Sequence, residues 1–391
     1  MPVLSRRTFA RDLLGSLAAL AFVHAKASPE SQQGLLLLDP TALRALRLPN
    51  RMVMAPMTRG RAGSERTANA LMAEYYAQRA AAGFIVTEAT AISPQGYGWL
   101  GSPGIYTGGQ VAGWTGVTDA VHQSGGRIFL QLWHTGRVSH PDFMDGRIPV
   151  GPSAVGAAGH VYTPTGKKPY VVPRAITSDE ISATVRDYAQ AARYAREAGF
   201  DGVEIHAANG YLIDQFIRDG SNQRTDAYGG TVQKRLRFLL EVTEAVAGAW
   251  SADRVGVRLS PVNDYNDMQD SNPTETFTQA AEALDRFGLA YLHVVEDLEQ
   301  GPQTAPQQRV GLHMRAAFKG PLILNGGYDA QTGASALSRG EADLIAYARL
   351  FLANPDLVER FRRGAVLNKP DSNTYYSGDA KGYTDYPPLD S

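Results

Sequence analysis

The sequence predicts an α/β fold of the (β/α)8 TIM-barrel type, and three observations lead to it. Eight short apolar runs occur along the chain, amphipathic segments separate them, and no stretch has the composition of a linker between two domains. Short runs that are apolar throughout indicate strands buried on both faces, as in a parallel sheet covered by helices. Eight such units indicate a closed barrel, and 391 residues is a normal length for one elaborated barrel.

The predicted strands are the eight apolar runs, taken in chain order. They span residues 51–55, 83–87, 127–132, 202–205, 254–259, 290–294, 322–324 and 344–346. The helical pattern between them is clearest over residues 179–198, 234–250 and 274–287, where apolar residues recur at helical spacing.

Two segments depart from this alternation. Residues 142–173, between the third and fourth strands, are rich in Gly and Pro and too long for an ordinary strand-to-helix loop. We therefore expect a long capping excursion over the barrel mouth, with a small hairpin. The Pro- and Tyr-rich tail after Lys369 is expected to pack against the barrel through its tyrosines.

The first 27 residues predict an export signal. Arg6 and Arg7 precede an apolar run at 13–23, which small residues at 25 and 27 follow, and these are the parts of a secretory signal. The paired arginines ahead of Phe9 are typical of a twin-arginine signal. The alternatives are a membrane anchor, for which the run is shorter than the ~20 residues required, or a chance amphipathic start. We expect residues 28–391 to form a single domain, exported to the periplasm by the Tat machinery, or cytoplasmic if the signal is misassigned.

Composition excludes several classes of site and partner. The chain has no cysteine, which removes disulfides, Fe–S clusters, thiolate zinc sites and cysteine nucleophiles. A net charge of −1 argues against a nucleic acid or an anionic membrane held by bulk electrostatics. The expected oligomeric state is a monomer or a dimer.

The active site of such a barrel lies at the carboxyl ends of its strands. Polar and functional residue types follow nearly every predicted strand, more than loop composition alone predicts. They are Pro56, Met57, Thr58 and Arg59; Glu88 and Ala89; Gln131, Trp133 and His134; His206, Asn209 and Tyr211; Arg258; Glu296 and Asp297; Asn325, Gly326 and Gly327; Ala348 and Arg349.

The loops after the last two strands favour a phosphate site. Gly326 and Gly327 let backbone N–H groups approach a ligand, Arg349 adds a planar cation, and these loops are the usual phosphate site of barrel enzymes. A plain turn is the alternative. Together with Gln131 and Arg258 deeper in the mouth, these phosphate-site residues favour a mononucleotide cofactor. Gln131 suits the pyrimidine edge of a flavin, and Arg258 would lie near N1.

The segment at 206–211 offers oxygen-binding and proton-donating groups. His206 and Asn209 are three residues apart, so both would face one substrate oxygen if the turn is helical. Tyr211 follows with a phenol that stays protonated at neutral pH and suits a general acid. The alternative is a histidine and a tyrosine satisfied within the core.

At these residues the sequence resembles the old yellow enzyme family of flavoproteins, over almost all of residues 35–389. It is most similar to the classical bacterial branch that includes pentaerythritol tetranitrate reductase, morphinone reductase and N-ethylmaleimide reductase, in which Thr58 stands where other members have Cys. The matching motifs are APMTR at 55–59, QLWHTGR at 131–137, residues 206–216, SNQRTD at 221–226, RLSP at 258–261 and GYTDYP at 382–387.

The resemblance implies a role for each candidate residue. Non-covalent FMN would be bound by Pro56, Met57, Thr58, Ala89, Gln131, Arg258, Asn325, Gly326, Gly327, Ala348 and Arg349. Thr58 would bond the flavin O4, and Arg258 would support N1 and O2. His206 and Asn209 would hold the substrate oxygen while Tyr211 donates a proton, and the pocket would be lined by Tyr97, Trp133 and Tyr376.

The activity implied is that of an ene-reductase with ping-pong kinetics. NADPH or NADH reduces FMN and leaves, then hydride passes from N5 to the β-carbon of an activated alkene, an α,β-unsaturated carbonyl or nitroalkene, while Tyr211 protonates Cα. Nitroesters are a further candidate class.

The alternative is an exported flavin- or ligand-binding protein without NAD(P)H turnover. A Schiff-base aldolase would need a lysine at a strand end, and none is found there; His206, His293 and Glu296 are a weak metal set, so no metal is expected.

Overall fold

The structure is a computed structural model that describes residues 36–297, 301–305 and 308–389. Within these residues, eight parallel strands form a closed barrel in chain order, and the last strand pairs with the first. They are β1 Met52–Met54, β2 Phe84–Ala91, β3 Ile128–Trp133, β4 Gly202–His206, β5 Val255–Leu259, β6 Tyr291–Val295, β7 Leu322–Asn325 and β8 Leu344–Tyr347. The predicted (β/α)8 barrel is confirmed, and each strand overlaps its predicted run.

All eight strands are buried along their whole length, as expected for a sheet covered on both faces. The barrel interior is filled by Val53, Phe84, Phe129, Tyr291 and other apolar side chains. A hairpin that the sequence analysis missed, Thr41–Leu43 with Leu46–Leu48, adds its leucines to this cluster. It packs near the amino ends of the strands, opposite the end that carries the candidate site.

The helices surround the barrel, between successive strands and after the last one. Within the described part of the chain they are Ala70–Ala77, Gly108–Gln123, Ser178–Glu197, Leu212–Ile217, Val232–Arg235, Arg237–Ala249, Pro273–Asp285, Val310–Ala317, Ala330–Ser338, Arg349–Ala353 and Leu357–Arg363. A capping box between Thr177 and Glu180 starts the helix predicted at 179–198. The helix predicted at 234–250 is instead two helices that meet at Leu236, where ψ of −15° departs from the usual α-helical value.

The long excursion after β3 contains the predicted hairpin, formed by His160–Thr163 and Gly166–Pro169. A short parallel pair, Val150–Gly151 with Arg174–Ala175, ties the segment together. Tyr170 packs against the buried cluster that contains Tyr211, so the excursion lies beside the mouth of the barrel.

The carboxyl-terminal tail packs on the barrel, as predicted. Tyr383 is fully buried and stacks on Tyr75 with ring centroids 3.9 Å apart. Arg59 and Arg61 are buried beside it and donate to the tail carbonyls of Gly382 and Thr374, respectively. These contacts hold the tail where it can form part of a cavity wall.

The predicted signal at residues 1–27 lies outside the described residues, and both the signal and the single domain at 28–391 stay predictions. Among the residues that the structure describes, no helix has the length and apolarity needed to cross a membrane.

Candidate active site

A cavity of about 520 Å³ opens at the carboxyl end of the barrel, where the sequence predicted the site. Its walls come from six of the eight strands or the loops that follow them, and from the tail. Twelve of the predicted residues meet there: Pro56, Met57, Thr58, Ala89, Gln131, His206, Asn209, Tyr211, Arg258, Ala348, Arg349 and Tyr376.

Two predicted pocket residues do not line this cavity. Tyr97 is 1% exposed, with the guanidinium of Arg66 3.7 Å from its ring centroid and Tyr106 at its edge, so the ring is enclosed. Trp133 is fully buried and meets the ring of Tyr211 edge-on at 5.2 Å. Trp133 therefore backs Tyr211, and the wall expected from Tyr97 is supplied by Trp99.

Several lining residues were missed by the sequence analysis. Trp99 lies two residues from Tyr97, Asn263 and Tyr265 follow β5, and Tyr375 adjoins Tyr376 in the tail. Asn263 and Tyr265 could have been found, because they lie in a rim loop directly after the RLSP motif. Nothing in the local sequence distinguishes Trp99 from Tyr97 as the residue that faces the cavity.

His206 ends β4 and is a neutral imidazole. Burial, then the positive charge of Arg258 and the nearby His293, hold the pKa of His206 well below its usual range. Its Nδ1 is buried without a hydrogen-bond partner in the described structure. The ring therefore offers a hydrogen bond to a ligand, and no positive charge.

Asn209 adopts a left-handed backbone with φ 57°, so the turn between His206 and Asn209 is not helical, although both residues line the cavity. Asparagine tolerates this conformation better than most residues. Its backbone N–H donates to Ser260 Oγ at 2.7 Å, and its carbonyl accepts from Asn266 Nδ2 at 2.8 Å. Its side-chain oxygen accepts from Asn263 Nδ2 at 3.0 Å, which leaves the N–H₂ group of Asn209 for the cavity.

Tyr211 is positioned as a protonated phenol. Burial, followed by the neighbouring phenols of Tyr265 and Tyr170, holds the pKa of Tyr211 well above its usual value. Its ring meets that of His206 edge-on, with centroids 4.9 Å apart. We call His206, Asn209 and Tyr211 the oxygen-binding corner, since it presents two hydrogen-bond donors and one transferable proton.

Gln131 and Arg258 lie on β3 and β5, and we call them the cavity floor. The side-chain amide of Gln131 donates to Glu204 Oε1 at 2.8 Å, and Arg258 Nη2 donates to Asn325 Oδ1 at 2.7 Å. Arg258 Nε is buried without a partner among the described residues. The floor therefore suits the edge of a planar heterocycle that carries carbonyl oxygens and a ring N–H.

The predicted phosphate residues fall into two groups. Ala348 and Arg349 line the cavity, whereas Asn325, Gly326 and Gly327 lie outside its lining. Because β7 pairs with β8, the loops that carry the two groups are neighbours. Gly326 has φ 137°, and a Cβ there would lie 2.8 Å from the carbonyl oxygen of Asp297, so this position requires glycine.

The weak metal set considered from sequence is not assembled. Glu296 is bound by Arg309 at 2.8 and 3.0 Å, and His293 is bonded to Glu204 inside the barrel. In the described part of the chain, no group of three or more His, Asp or Glu side chains is arranged to hold a metal ion.

Comparison with known proteins adds three kinds of similarity. A model of the NADH:flavin oxidoreductase / NADH oxidase family matches residues 36–368. The chain is 42% identical over 372 residues to 12-oxophytodienoate reductase 2 of Arabidopsis thaliana, which covers 93% of this chain and 98% of that protein.

Two solved structures are similar in fold and sequence. Morphinone reductase in complex with tetrahydroNAD has a TM-score of 0.86 at 49% identity, covering 90% of this chain and 98% of that chain. The old yellow enzyme homologue from Zymomonas mobilis has a TM-score of 0.87 at 47% identity, covering 90% of this chain and 99% of that chain.

Proposed function

The chain belongs to the NADH:flavin oxidoreductase / NADH oxidase family, the old yellow enzymes, and is an FMN-dependent NAD(P)H oxidoreductase; we propose that it reduces the C=C bond of α,β-unsaturated carbonyl compounds and nitroalkenes. The observation that carries this proposal is the oxygen-binding corner, where two neutral donors and a protonated phenol meet beside the cavity floor. Nitroesters are a second substrate class to be tested at the same corner.

The cavity floor fits the pyrimidine edge of a flavin. The acceptor oxygen of Gln131 matches a ring N–H, and the unpartnered Nε of Arg258 matches a carbonyl oxygen and the negative charge that develops near N1 on reduction. Thr58 lies in the same lining and would bond the flavin O4, while Arg349 would bind the phosphate. FMN, when bound, supplies the atom that accepts a hydride from NAD(P)H and passes it to the alkene.

The oxygen-binding corner polarises and protonates the substrate. His206 and Asn209 each donate a hydrogen bond to the carbonyl or nitro oxygen and stabilise the charge that grows there as hydride reaches Cβ. Tyr211 donates its proton to Cα, and its raised pKa keeps that proton available. A neutral His206 suits a carbonyl substrate, because an uncharged imidazole can bond an uncharged carbonyl oxygen without a counter-ion in the cavity.

We also propose that NAD(P)H and the alkene occupy the cavity in turn, which is a ping-pong order. Both must place a reacting carbon against the same flavin atom, and the lining that surrounds this position is shared. Support for the nicotinamide comes from the similar morphinone reductase structure, which is a complex with tetrahydroNAD.

Export by the twin-arginine route remains part of the proposal, because Arg6 and Arg7 precede the apolar run. A route that carries folded proteins suits a chain that must load its flavin before export. Replacing both with lysine, Arg6→Lys and Arg7→Lys, should leave the precursor in the cytoplasm on fractionation. Unchanged export of this variant would remove the twin-arginine assignment.

The experiment that tests the activity begins with the bound cofactor. The purified protein should release FMN on denaturation, and it should oxidise NADPH or NADH when a simple enone is added. Release of FAD would contradict the cofactor assignment. Bound FMN without enone turnover would identify a flavin-binding protein and would overturn the ene-reductase proposal.

A further inference from the structure

The barrel interior contains an acid and an imidazole that the proposed reaction does not use. Glu204 on β4 and His293 on β6 have fully buried side chains, and His293 Nδ1 lies 2.8 Å from Glu204 Oε2. Neither residue lines the cavity. Barrel interiors are usually filled by branched apolar side chains, and a buried carboxylate is costly unless it is paired and hydrogen-bonded. The pair therefore needs an explanation.

Glu204 is ionised despite its burial. Burial by itself would raise the pKa of Glu204. The neighbouring His293, Arg258 and Gln131 outweigh burial and hold that pKa below its usual range. At neutral pH the group is therefore a carboxylate, which accepts hydrogen bonds and donates none.

This charge determines which way the amide of Gln131 faces. Gln131 and Glu204 stand opposite each other in the parallel pair of β3 and β4, so the strand register sets their separation. Because a carboxylate only accepts, the N–H₂ group of Gln131 must face Glu204, and it does so at 2.8 Å. The amide oxygen of Gln131 is then directed away from Glu204, and Gln131 itself lines the cavity.

Arg258 is held by a parallel arrangement. Asn325 Nδ2 donates to the carbonyl of Ala346 at 2.9 Å, so the side-chain oxygen of Asn325 is the atom left to accept from Arg258. The floor thus presents one acceptor, from Gln131, beside one cation, and partners that lie outside the cavity fix both orientations.

We propose that Glu204 is a positioning residue: it turns the Gln131 amide so that its oxygen accepts the N3–H of the flavin, and its charge opposes reduction of the flavin. This inference rests on the proposed function, since it requires FMN at the cavity floor. Glu204 acts through Gln131 and through its field, and does not touch the cofactor.

Two variants separate orientation from charge. Glu204→Gln keeps the shape but removes the charge and allows the two amides to pair in either direction. Glu204→Asp keeps the charge but withdraws it by one methylene from Gln131. Thr243→Val is the matched control, because Thr243 is also buried and polar but bonds Leu239 in an outer helix.

The first measurements are FMN affinity and the N3–H resonance. With FMN labelled at N3 with ¹⁵N, the N3–H chemical shift in wild type and in Thr243→Val should be that of a hydrogen-bonded group. In both Glu204 variants the N3–H chemical shift should move towards that of free flavin. Glu204→Gln should weaken FMN binding about tenfold, the worth of roughly one hydrogen bond. In a Gln131→Leu background the same change should cost less than about twofold, since Glu204 acts through that residue.

The second measurement is the midpoint potential. Removing a negative charge stabilises the reduced flavin, so Glu204→Gln should favour reduction about tenfold, which is about 30 mV more positive for a two-electron couple. Glu204→Asp should leave the potential within a few millivolts of wild type. Glu204→Gln should therefore change both the N3–H resonance and the midpoint potential, whereas Glu204→Asp should change the N3–H resonance alone.

The outcomes distinguish this proposal from the function it rests on. A wild-type protein that binds no FMN overturns both. A wild-type protein that binds FMN, with Glu204→Gln unchanged in N3–H position and potential, overturns the role of Glu204 alone. An affinity loss that persists undiminished in the Gln131→Leu background also overturns it. If Glu204→Gln does not fold, the N3–H position in Glu204→Asp decides.

Discussion

The cavity floor and the oxygen-binding corner belong to one cavity but are built differently. Gln131 and Arg258 lie on strands, and each is bonded to a buried side chain on another strand: Gln131 to Glu204 on the adjacent β4, and Arg258 to Asn325 on β7, two strands away. Asn209 and Tyr211 lie beyond the end of β4, and loop side chains orient Asn209. The positions of the floor residues are therefore set by the barrel itself, which suits a cofactor that stays bound. The corner relies on loop residues to orient Asn209, which suits a place where NAD(P)H and the alkene bind in turn.

The sharpest way to separate the two regions is Tyr211→Phe. A general acid contributes about 10²–10⁴-fold, so enone reduction should slow within about that range. Flavin reduction by NADPH should barely change, because no proton from Tyr211 is needed there. Nitro-group reduction, which needs no proton on Cα, is the internal control. Stopped-flow measurement of each half-reaction decides, and equal slowing of both would show that Tyr211 is not the proton donor.

His206→Ala should weaken ligand binding at the corner and leave the floor intact. A buried ligand oxygen loses one donor, which costs roughly 1–3 kcal/mol. We use a simple phenol as a non-reacting probe, because its oxygen can accept from the same donors as an enone oxygen. Affinity for the phenol and for the enone should fall accordingly, as measured by titration of the flavin absorbance, while FMN content stays that of wild type. If His206→Ala lost FMN as well as phenol affinity, the cavity floor and the oxygen-binding corner would not be separable.

Asn263→Ala tests whether a loop residue orients Asn209. Its amide donates to the side-chain oxygen of Asn209, so its loss frees that side chain to turn. We expect a smaller weakening of phenol binding, about 0.5–1.5 kcal/mol, the usual net worth of one hydrogen bond. Asn266→Gly is the comparison variant, because the side chain of Asn266 bonds the backbone carbonyl of Asn209 and not its side chain, and glycine accommodates the φ of 62° at this position. Equal losses of phenol affinity in both variants would show that Asn263 only supports the loop and does not orient the side chain of Asn209.

The smallest expected effect is that of pH on the corner. The pKa of His206 is held well below its ordinary value and that of Tyr211 well above its own. His206 therefore stays neutral and Tyr211 protonated between about pH 6 and 9, given their ordinary values of about 6.5 and 10. The single-turnover rate of enone reduction should be flat over this range. A step near pH 6.5 would show that His206 titrates with an ordinary pKa.

The same contrast explains which predictions from sequence succeeded. Most of the predicted residues on or directly after strands, such as Gln131 and Arg258, line the cavity, because a barrel brings the carboxyl ends of all its strands to one rim. Trp133 and Asn325 also end strands but lie outside the lining. Tyr97 was misplaced and Trp99 missed, because both lie in one loop after β2 and local sequence does not say which ring is enclosed. The turn at Asn209 was also missed, since its left-handed backbone is stabilised by Ser260 and Asn266, about 50 residues away in sequence.

The sequence by itself determined the barrel, the rim that bears the site and the residue types available there, because strand periodicity and motif order are local properties of the chain. Only the tertiary structure decided which side chains face the cavity and what state they are in. The neutrality of His206, the ionisation of Glu204 and the direction of the Gln131 amide depend on burial and on partners carried by other strands. Such quantities arise from packing between distant segments, so no local pattern contains them.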